Sequence, residues 1–300
     1  TTHELRVNAD LNDTTSVTAG VFMSDLELIE HNEFTYPGSA KIAAGYAPNY
    51  PHTNPQPGQG GNAGAGWYSE PGPYNAPIIF VNDILRTDKQ KGVFGEVNFA
   101  LTDTSELTVG ARWYDIEVDL EGSANGAYGN KGATSDSGGG GANLSVQYAP
   151  NNANGYPDKA ETDGVIGKVT YSWKPSEDIM YYVTWSEGFR PGLLNRPVGA
   201  GDENYSVKAV TDTDEVTNYE FGWKATLMDG SLRLNGSLFK SDITGLQSTI
   251  FDAAIVNLFF SDNAADAEIL GLEGDFIYLT DNDWILSGAF SMLDTELTKR

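Results

Sequence analysis

The sequence predicts an all-β fold, an antiparallel transmembrane β-barrel with about ten strands in this chain, and three observations carry that prediction. Apolar and polar residues alternate with a period of two in ten segments, the pattern of strands with unlike faces. The segments form five pairs with turns of a few residues inside each pair and connections of about 25 to 60 residues between pairs. Five of the six tryptophans fall on the apolar phase, most of them near strand ends, where an aromatic girdle meets lipid headgroups. They are Trp113, Trp173, Trp185, Trp223 and Trp284.

The first pair is predicted to comprise a strand from His3 to Ala9 and a second from Ser16 that continues toward Leu28. Periodicity then disappears in residues 30–86, which are rich in Pro, Gly, Asn and Tyr. A segment of that length without regular structure is typical of a functional loop or of disorder.

The second pair is predicted at residues 92–101 and 107–114, where apolar side chains such as Val93 and Val109 alternate with polar ones. A short turn separates the two strands. The pair is followed by a loop at residues 121–161 that is dominated by Gly, Ser, Asn and Asp and is low in complexity.

The central pair has the clearest alternation and ends in a distinctive motif. Val165 to Trp173 forms one strand, residues 174–178 form the turn, and Ile179 to Trp185 forms the return strand. The chain then reads Gly188-Phe189-Arg190-Pro191-Gly192 and enters a loop at residues 188–215. Gly and Pro end strands, so this motif marks the strand terminus.

Two further pairs complete the chain. Residues 218–227 and 232–239 flank Asp229-Gly230, the strongest hairpin signal in the sequence. A loop at residues 244–267 leads to predicted strands at 270–278 and 284–292.

Charged side chains of the later strands fall on the phase opposite to the tryptophans. We predict that this phase faces the lumen of the barrel, because a dry sheet-on-sheet core would exclude charge. A soluble β-sandwich is the alternative, although it would place large aromatics at strand centres. The predicted lumen residues are Glu96, Arg112, Lys168, Glu220, Lys224, Arg233, Glu273 and Asp275.

Composition excludes several classes of protein and site. The 42 acidic residues against 18 basic ones give a net charge of −24, so no basic surface for nucleic acid is expected. The acidity indicates solvated loops or, alternatively, attraction of cations. The sequence has no cysteine, which excludes disulfides and thiolate metal sites, and no apolar run long enough for a membrane helix.

No residue pattern predicts catalysis. The three histidines, His3, His31 and His52, lack metal-ligand spacing, and the glycine runs lack the context of a phosphate loop. We therefore expect neither an enzyme nor a bound cofactor or metal.

The motif at the end of the central hairpin resembles that of TonB-dependent outer-membrane receptors. Gly188-Phe189-Arg190-Pro191-Gly192 with Asn195-Arg196 is the most specific part of the resemblance. The strand GVFGEVNFAL at residues 92–101, followed by LTVGARWY at 107–114, is the second part, and Gly271-Leu272-Glu273 is a weaker third.

This resemblance implies a 22-stranded barrel in the outer membrane of a Gram-negative bacterium, filled by an N-terminal plug and surrounded by lipid. The implied activity is uptake of a large, scarce ligand, by default a ferric siderophore, with energy from the TonB complex acting through the plug. The plug and the coupling box are absent from the sequence, so an internal barrel fragment is expected. Carbohydrate or cobalamin-type uptake, a passive porin and a soluble glycan-binding β-protein remain alternatives.

Site residues are predicted as follows. The motif from Gly188 to Gly192, with Asn195 and Arg196, is expected to be structural, with Arg190 capping carbonyls or pairing with an acidic residue. Arg112 and Arg233 are expected to pair with plug carboxylates. Ligand contacts are expected from aromatics of the first loop, where prolines reduce the entropy lost on ordering. Those aromatics are Trp67, Tyr68 and Tyr74.

Overall fold

The computed structural model describes residues 1–35, 78–126, 159–195, 208, 210–251 and 259–299. The regular structure in these residues is one antiparallel sheet of ten strands, hydrogen-bonded in sequence order. The strands are β1 Thr2–Asn12, β2 Thr15–Thr35, β3 Ile78–Thr102, β4 Ser105–Gly126, β5 Lys159–Ser176, β6 Ile179–Arg190, β7 Asp214–Leu227, β8 Leu232–Phe251, β9 Phe259–Leu279 and β10 Ile285–Lys299. The predicted fold class, all-β with antiparallel neighbours, is confirmed. Among these residues no helix has the length and hydropathy needed to cross a bilayer.

The turn between β7 and β8 contains the predicted Asp229-Gly230 pair. Met228 and Asp229 have φ of 53°, and Gly230 has φ of 91°, so three consecutive residues are left-handed. Gly and Asp tolerate this region, whereas Met does so at a steric cost. The turn closes through hydrogen bonds from the Gly230 and Ser231 amides to the carbonyls of Leu227 and Met228.

The predicted loop boundaries were wrong at all four long connections, because every strand that flanks them continues further. The predicted loops were residues 30–86, 121–161, 188–215 and 244–267. In the structure the residues between the flanking strands are, in the same order, 36–77, 127–158, 191–213 and 252–258. The largest error is at 244–267, where β8 and β9 remain paired up to Phe251 and Phe259.

An irregular backbone explains why the sequence pattern predicted a loop, rather than paired strands, at residues 244–267. Gly245 has φ of 66°, and the register of β8 against β9 shifts between Ile243 and Leu246 and again between Leu246 and Gln247. An extra residue of this kind is a β-bulge, which interrupts the alternation of faces. Asp266 stabilises the bulge by accepting a hydrogen bond of 2.8 Å from the Gly245 amide.

One face of the sheet is apolar over the half that carries the short turns. Residues that oppose one another across neighbouring strands share a face, so the strand register assigns the side chains. A single row crosses seven strands from Leu107 on β4 through Val183 on β6 to Met292 on β10. We call this side the Val183 face and the opposite side the Glu220 face. Val183 is 53% exposed and Met292 66%.

The polarity of the two faces reverses toward the end of the sheet that carries the long connections. On β4 the Val183 face changes after Trp113 to Asp115, Glu117 and Asp119. The Glu220 face of the same strand becomes apolar and buried, with Tyr114, Ile116, Val118 and Leu120. On β2 the change is from Val21 and Met23 to Asp25 and Glu27, with Leu26 and Leu28 on the other side, and on β10 Asp294 and Glu296 follow Met292. We call the part beyond this reversal the loop-end segment.

Charged groups on the Val183 face of the loop-end segment pair with one another. Lys159 Nζ lies 2.9 Å from Glu117 Oε1, and Lys89 Nζ lies 3.7 Å from the same oxygen. The hydrogen bond from Lys159 lowers the pKa of the Glu117 carboxyl. Charged side chains of this kind suit contact with water rather than with acyl chains. The apolar part of the Val183 face, which we call the apolar band, therefore ends near Trp113.

Glycines within the strands lie beneath aromatic rings of the neighbouring strand. In six cases the ring belongs to the residue directly opposite, and a Cβ on the glycine would overlap it. The pairs are Gly20 with Phe94, Gly164 with Tyr114, Gly222 with Tyr182, Gly236 with Trp223, Gly271 with Phe239 and Gly288 with Phe276. Each ring therefore occupies the space of a missing side chain, which restores packing at a residue that weakens strands.

Substitution of Gly222 by Val should destabilise the protein although Val favours strands. The new side chain must displace the Tyr182 ring and its hydrogen bond to Glu220, and overpacking of this kind costs about 1–2 kcal/mol. The measurement is the free energy of unfolding in a full-length receptor that contains this chain. Gly95→Val is the control, because a Cβ there meets nothing nearer than the Thr18 carbonyl oxygen at 3.8 Å. Equal stability of the two variants would contradict the packing role of the ring, whereas Tyr182→Ala should relieve the effect of Gly222→Val.

Candidate functional site

The charged residues that were predicted to face a lumen share the Glu220 face. They are Glu96, Arg112, Lys168, Glu220, Lys224, Arg233, Glu273 and Asp275. Glu96 and Lys168 both oppose Gly110 on β4, which leaves the space between them open, and Lys168 Nζ lies 3.9 Å from Glu96 Oε2. Both side chains are well exposed, so this ion pair contributes little to stability. The Glu220 face is therefore polar in the part of the sheet whose other face is apolar.

Acceptor groups dominate the Glu220 face of β7 to β9. Tyr182 Oη donates a hydrogen bond of 2.5 Å to Glu220 Oε1, and Ser237 Oγ lies 3.5 Å from Glu273 Oε1. Asn235 Nδ2 donates to Asp275 at 3.1 Å. These hydrogen bonds fix the orientation of the Glu220, Glu273 and Asp275 carboxylates on the Glu220 face.

Two arginines and two phenylalanines form cation–π contacts on the Glu220 face of β1 to β4. The Arg112 guanidinium carbon lies 5.5 Å from the Phe22 ring centre, and the Arg6 guanidinium carbon lies 5.5 Å from that of Phe94. Contacts of this kind are worth about 0.5–1 kcal/mol at exposed sites. Arg6 also pairs with Glu4 at 2.7 Å, whereas Arg112 Nε is buried and makes no hydrogen bond to any described residue.

The motif at the end of β6 is held by an ion pair. Arg190 Nε donates to Asp214 Oδ2 at 3.0 Å, and Arg190 Nη2 donates to the Gln247 carbonyl at 2.8 Å. Asp214 is only 7% exposed, and its Oδ2 also accepts from the Gln247 amide at 3.2 Å. A carboxylate that accepts several hydrogen bonds in a buried position orients its donors firmly.

Gln247 joins the motif to the chain before β7. Its side-chain amide donates to the carbonyls of Pro191 and Asp212, both at 2.9 Å. Asn263 links the same region to β9 by donating to the Asp212 carbonyl at 2.9 Å and accepting from the Asp212 amide at 2.8 Å. Residues from four elements therefore meet at the strand end.

The residues after the motif are fixed in the same way. Leu193 and Thr211 exchange hydrogen bonds of 2.8 and 2.9 Å, and Thr211 is 2% exposed. Asn195 donates to the Lys208 and Ser261 carbonyls at 2.9 and 2.7 Å. A Cβ on Gly192 would overlap the Thr211 carbonyl oxygen, so only glycine fits there. We call this network, with Arg190, Asp214 and Gln247, the motif cluster.

The motif cluster turns the chain back over the Glu220 face. Phe189 stacks on Tyr114 with ring centres 3.6 Å apart and 14° between planes. Leu194 packs into the buried group formed by Ile116, Val118 and neighbouring side chains of β4 and β5. Phe189 covers the apolar side chains of the Glu220 face in the loop-end segment, where the β5 to β6 pairing has ended at Ser186. Residues 191–195 therefore lie over the Glu220 face at this end of the sheet.

Other predicted site residues lie outside the described residues. These are Trp67, Tyr68, Tyr74 and Arg196. Across the described ranges, no group of three or more His, Cys, Asp or Glu side chains is arranged to hold a metal ion.

Sequence reasoning missed the partners of the motif. Asp214, Thr211 and Gln247 are polar residues in a polar stretch, and they lie between 18 and 57 residues from the groups that they bind. No local pattern marks them. The reversal of polarity on β4, by contrast, is visible as YDIEVDLE at residues 114–121, where acidic and apolar residues alternate.

Comparison with known proteins identifies the family. Residues 3–298 match the family described as "TonB dependent receptor-like, beta-barrel". The probable TonB-dependent siderophore receptor PiuA of Acinetobacter baumannii is 28% identical over 154 residues, which cover 50% of this chain and 20% of PiuA. The chain thus spans about a fifth of the length of that curated relative.

Solved structures of low sequence identity share the fold. The ferric yersiniabactin uptake receptor FyuA from Yersinia pestis superposes with a TM-score of 0.65 at 13% identity, covering 99% of this chain and 35% of FyuA. The A. baumannii PiuA structure gives 0.59 at 17%, covering 99% and 38%. The copper transporter OprC gives 0.60 at 14%, covering 99% and 37%. The ten-stranded sheet is open because it is part of a larger barrel, and the chain belongs to the TonB-dependent receptor family.

Proposed function

We propose that the full-length protein takes up a large, scarce ligand across the outer membrane with energy from the TonB complex, and that the ligand is a ferric siderophore. The family consists of receptors and transporters rather than enzymes, and membership implies location in the outer membrane. The relative PiuA is named as a siderophore receptor, which supports the choice of ligand.

The observation that carries the proposal is the contrast between the two faces below the polarity reversal. The Val183 face has exposed apolar side chains, and the Glu220 face has charged ones at matching heights. A wall of this kind separates lipid from a hydrated interior. The family match supports a location in the outer membrane of a Gram-negative bacterium. Short turns are periplasmic in such barrels, so we propose that the loop-end segment lies outside the cell.

A plug is the proposed partner of the interior wall. Arg112 and Arg233 make no ion pair with any described residue, and the Nε of Arg112 is buried without a hydrogen bond. A buried N–H without an acceptor is costly, so a carboxylate from outside this chain suits Arg112. Membership of this family argues against a soluble glycan-binding protein. Uptake of a carbohydrate or cobalamin-type ligand and a passive porin remain the alternatives.

Uptake of labelled iron in a strain that carries only the full-length receptor tests this function. We expect iron-starved cells to accumulate radioiron from a ferric siderophore extract, and accumulation to stop when the proton motive force is collapsed or TonB is deleted. Uptake that persists without the proton motive force would favour a passive porin. We also propose Trp67, Tyr68 and Tyr74 as ligand contacts, and loss of Trp67 and Tyr68 should weaken binding while barrel assembly is unchanged.

A further inference from the structure

Arg86 and Asp88 form a polar pair within an apolar part of the Glu220 face. Both lie on β3 in the loop-end segment, beyond the apolar band. Arg86 opposes Leu28 on β2 and Leu120 on β4, and Asp88 opposes Leu26 and Val118. The pair is therefore flanked on both sides by branched apolar side chains.

The geometry of this pair leaves one donor of Arg86 and one acceptor of Asp88 unused. Arg86 Nε lies 3.7 Å from Asp88 Oδ1, which is beyond hydrogen-bond distance. Both atoms are shielded from solvent, and neither makes a hydrogen bond to any residue that the structure describes. A guanidinium offers five N–H donors and a carboxylate several acceptor sites, so each group has free capacity next to the other.

Neighbouring cations differ from Arg86 in this respect. Arg190, at the same end of the sheet, donates to Asp214 and to the Gln247 carbonyl. Lys89, three residues from Arg86 on the opposite face, is 55% exposed and lies beside Glu117. Of these three cations, only Arg86 has an N–H group, that of Nε, that is shielded from solvent and has no hydrogen-bond acceptor among the described residues.

Accessible apolar surface lies directly beside the pair. Leu26 is 54% exposed and Leu28 47%, whereas Val118 and Leu120 on the other side are buried beneath Leu194 and its neighbours. Within the described sheet, the pair is therefore open on its β2 side. An occupant must present an anionic oxygen to Arg86, a hydroxyl or N–H donor to Asp88, and apolar surface to the two leucines.

We infer that Arg86, Asp88, Leu26 and Leu28 form a subsite for an anionic chelate that carries a hydroxyl or amide donor on an apolar body. This inference rests on the proposed function and specifies the ligand's chemistry. Arg86 favours an anion because charge-assisted hydrogen bonds from a guanidinium are about twice as strong as neutral ones. Asp88 excludes a ligand with negative charge on every side, and a cationic chelate gains nothing from Arg86.

Equilibrium binding of radioiron-labelled chelates to the purified full-length receptor tests the subsite. The probes are a ferric catecholate and ferric citrate, which are anionic, and ferrioxamine B, which is cationic. Arg86→Leu should weaken binding of the anionic chelate about tenfold or more, and Arg86→Lys should restore part of it. Lys89→Leu removes the same charge from the other face of the same strand and should change binding less than about twofold. Unchanged heat-resistant migration of each variant checks barrel assembly.

Each outcome supports or overturns the subsite. Loss of anionic binding in Arg86→Leu but not in Lys89→Leu supports it. Wild-type binding in Arg86→Leu, equal losses in both variants, or a preference for ferrioxamine B overturns the subsite and leaves the uptake function standing. A wild-type receptor that neither binds nor takes up any ferric chelate overturns the uptake function, and the subsite with it.

Discussion

Val183→Arg is expected to lower the free energy of unfolding of the full-length receptor in lipid by about 2–4 kcal/mol. Val183 lies in the middle of β6 on the apolar face and is 53% exposed in the described sheet. Tyr181 and Trp185 flank it on the same face, so the site lies within the apolar band. A guanidinium at this height must leave water for hydrocarbon, which is the cause of the loss. Folding into vesicles of defined lipid with a urea titration measures it.

Thr184→Arg is the matched control for that substitution. Thr184 is the next residue along β6 and faces the other way, opposite Glu220 on β7 and 2.9 Å from Thr170 through their hydroxyls. An arginine there stays hydrated and lies near a carboxylate, so we expect a change below about 1 kcal/mol. If both variants lose the same free energy, the assignment of the Val183 face to lipid is wrong.

Asp214→Ala is expected to open the motif cluster. The substitution removes the acceptor of Arg190 and of the Gln247 amide, and unpaired polar groups in a buried site cost about 2–3 kcal/mol. The penalty stays below that of a fully buried ion pair because the Arg190 side chain is 51% exposed and regains water. Hydrogen exchange of peptides covering residues 189–195 and 210–216 should become about 30-fold faster or more.

Asp212→Ala separates this effect from a general loss of negative charge. The Asp212 side chain is 81% exposed and pairs only with Lys208, at 3.2 Å, among the contacts resolved for it. An exposed pair of this kind contributes little, so exchange in the same peptides should change less than about threefold. Equal acceleration in both variants would show that the carboxylate of Asp214 does not hold the segment.

Much of the fold could be predicted from the sequence because a strand with one lipid-facing side has a strict period of two. That period located all ten strands and assigned Val183 and Glu220 to opposite sides. It failed where the physical basis of the pattern changes. Beyond Trp113 the sides exchange polarity, and at Gly245 a bulge shifts the phase. The strand ends were therefore misplaced by as much as 14 residues, at the start of β3, which was predicted at residue 92 and lies at Ile78.

The candidate site was less predictable because its contacts join distant parts of the chain. Arg190 was expected to meet a carboxylate or a carbonyl, yet nothing in the sequence selects Asp214 from among 42 acidic residues. The Arg86 pair was hidden for another reason. Its surroundings are apolar only in three dimensions, where Leu28 and Leu120 arrive from two other strands.

The aromatic rings that cover strand glycines also favour the observed register between neighbouring strands. A slip of two residues between β6 and β7 keeps every side chain on its correct face, so the apolar pattern does not oppose it. Such a slip would place the Tyr182 ring against Glu220 or Lys224 and leave Gly222 opposite Met180 or Thr184. The Tyr182 ring would then overlap a side chain, and the space over Gly222 would lose the ring that fills it. Ring–glycine pairs of this kind lie at six of the nine strand junctions, and at those junctions they favour the observed alignment over its near neighbours.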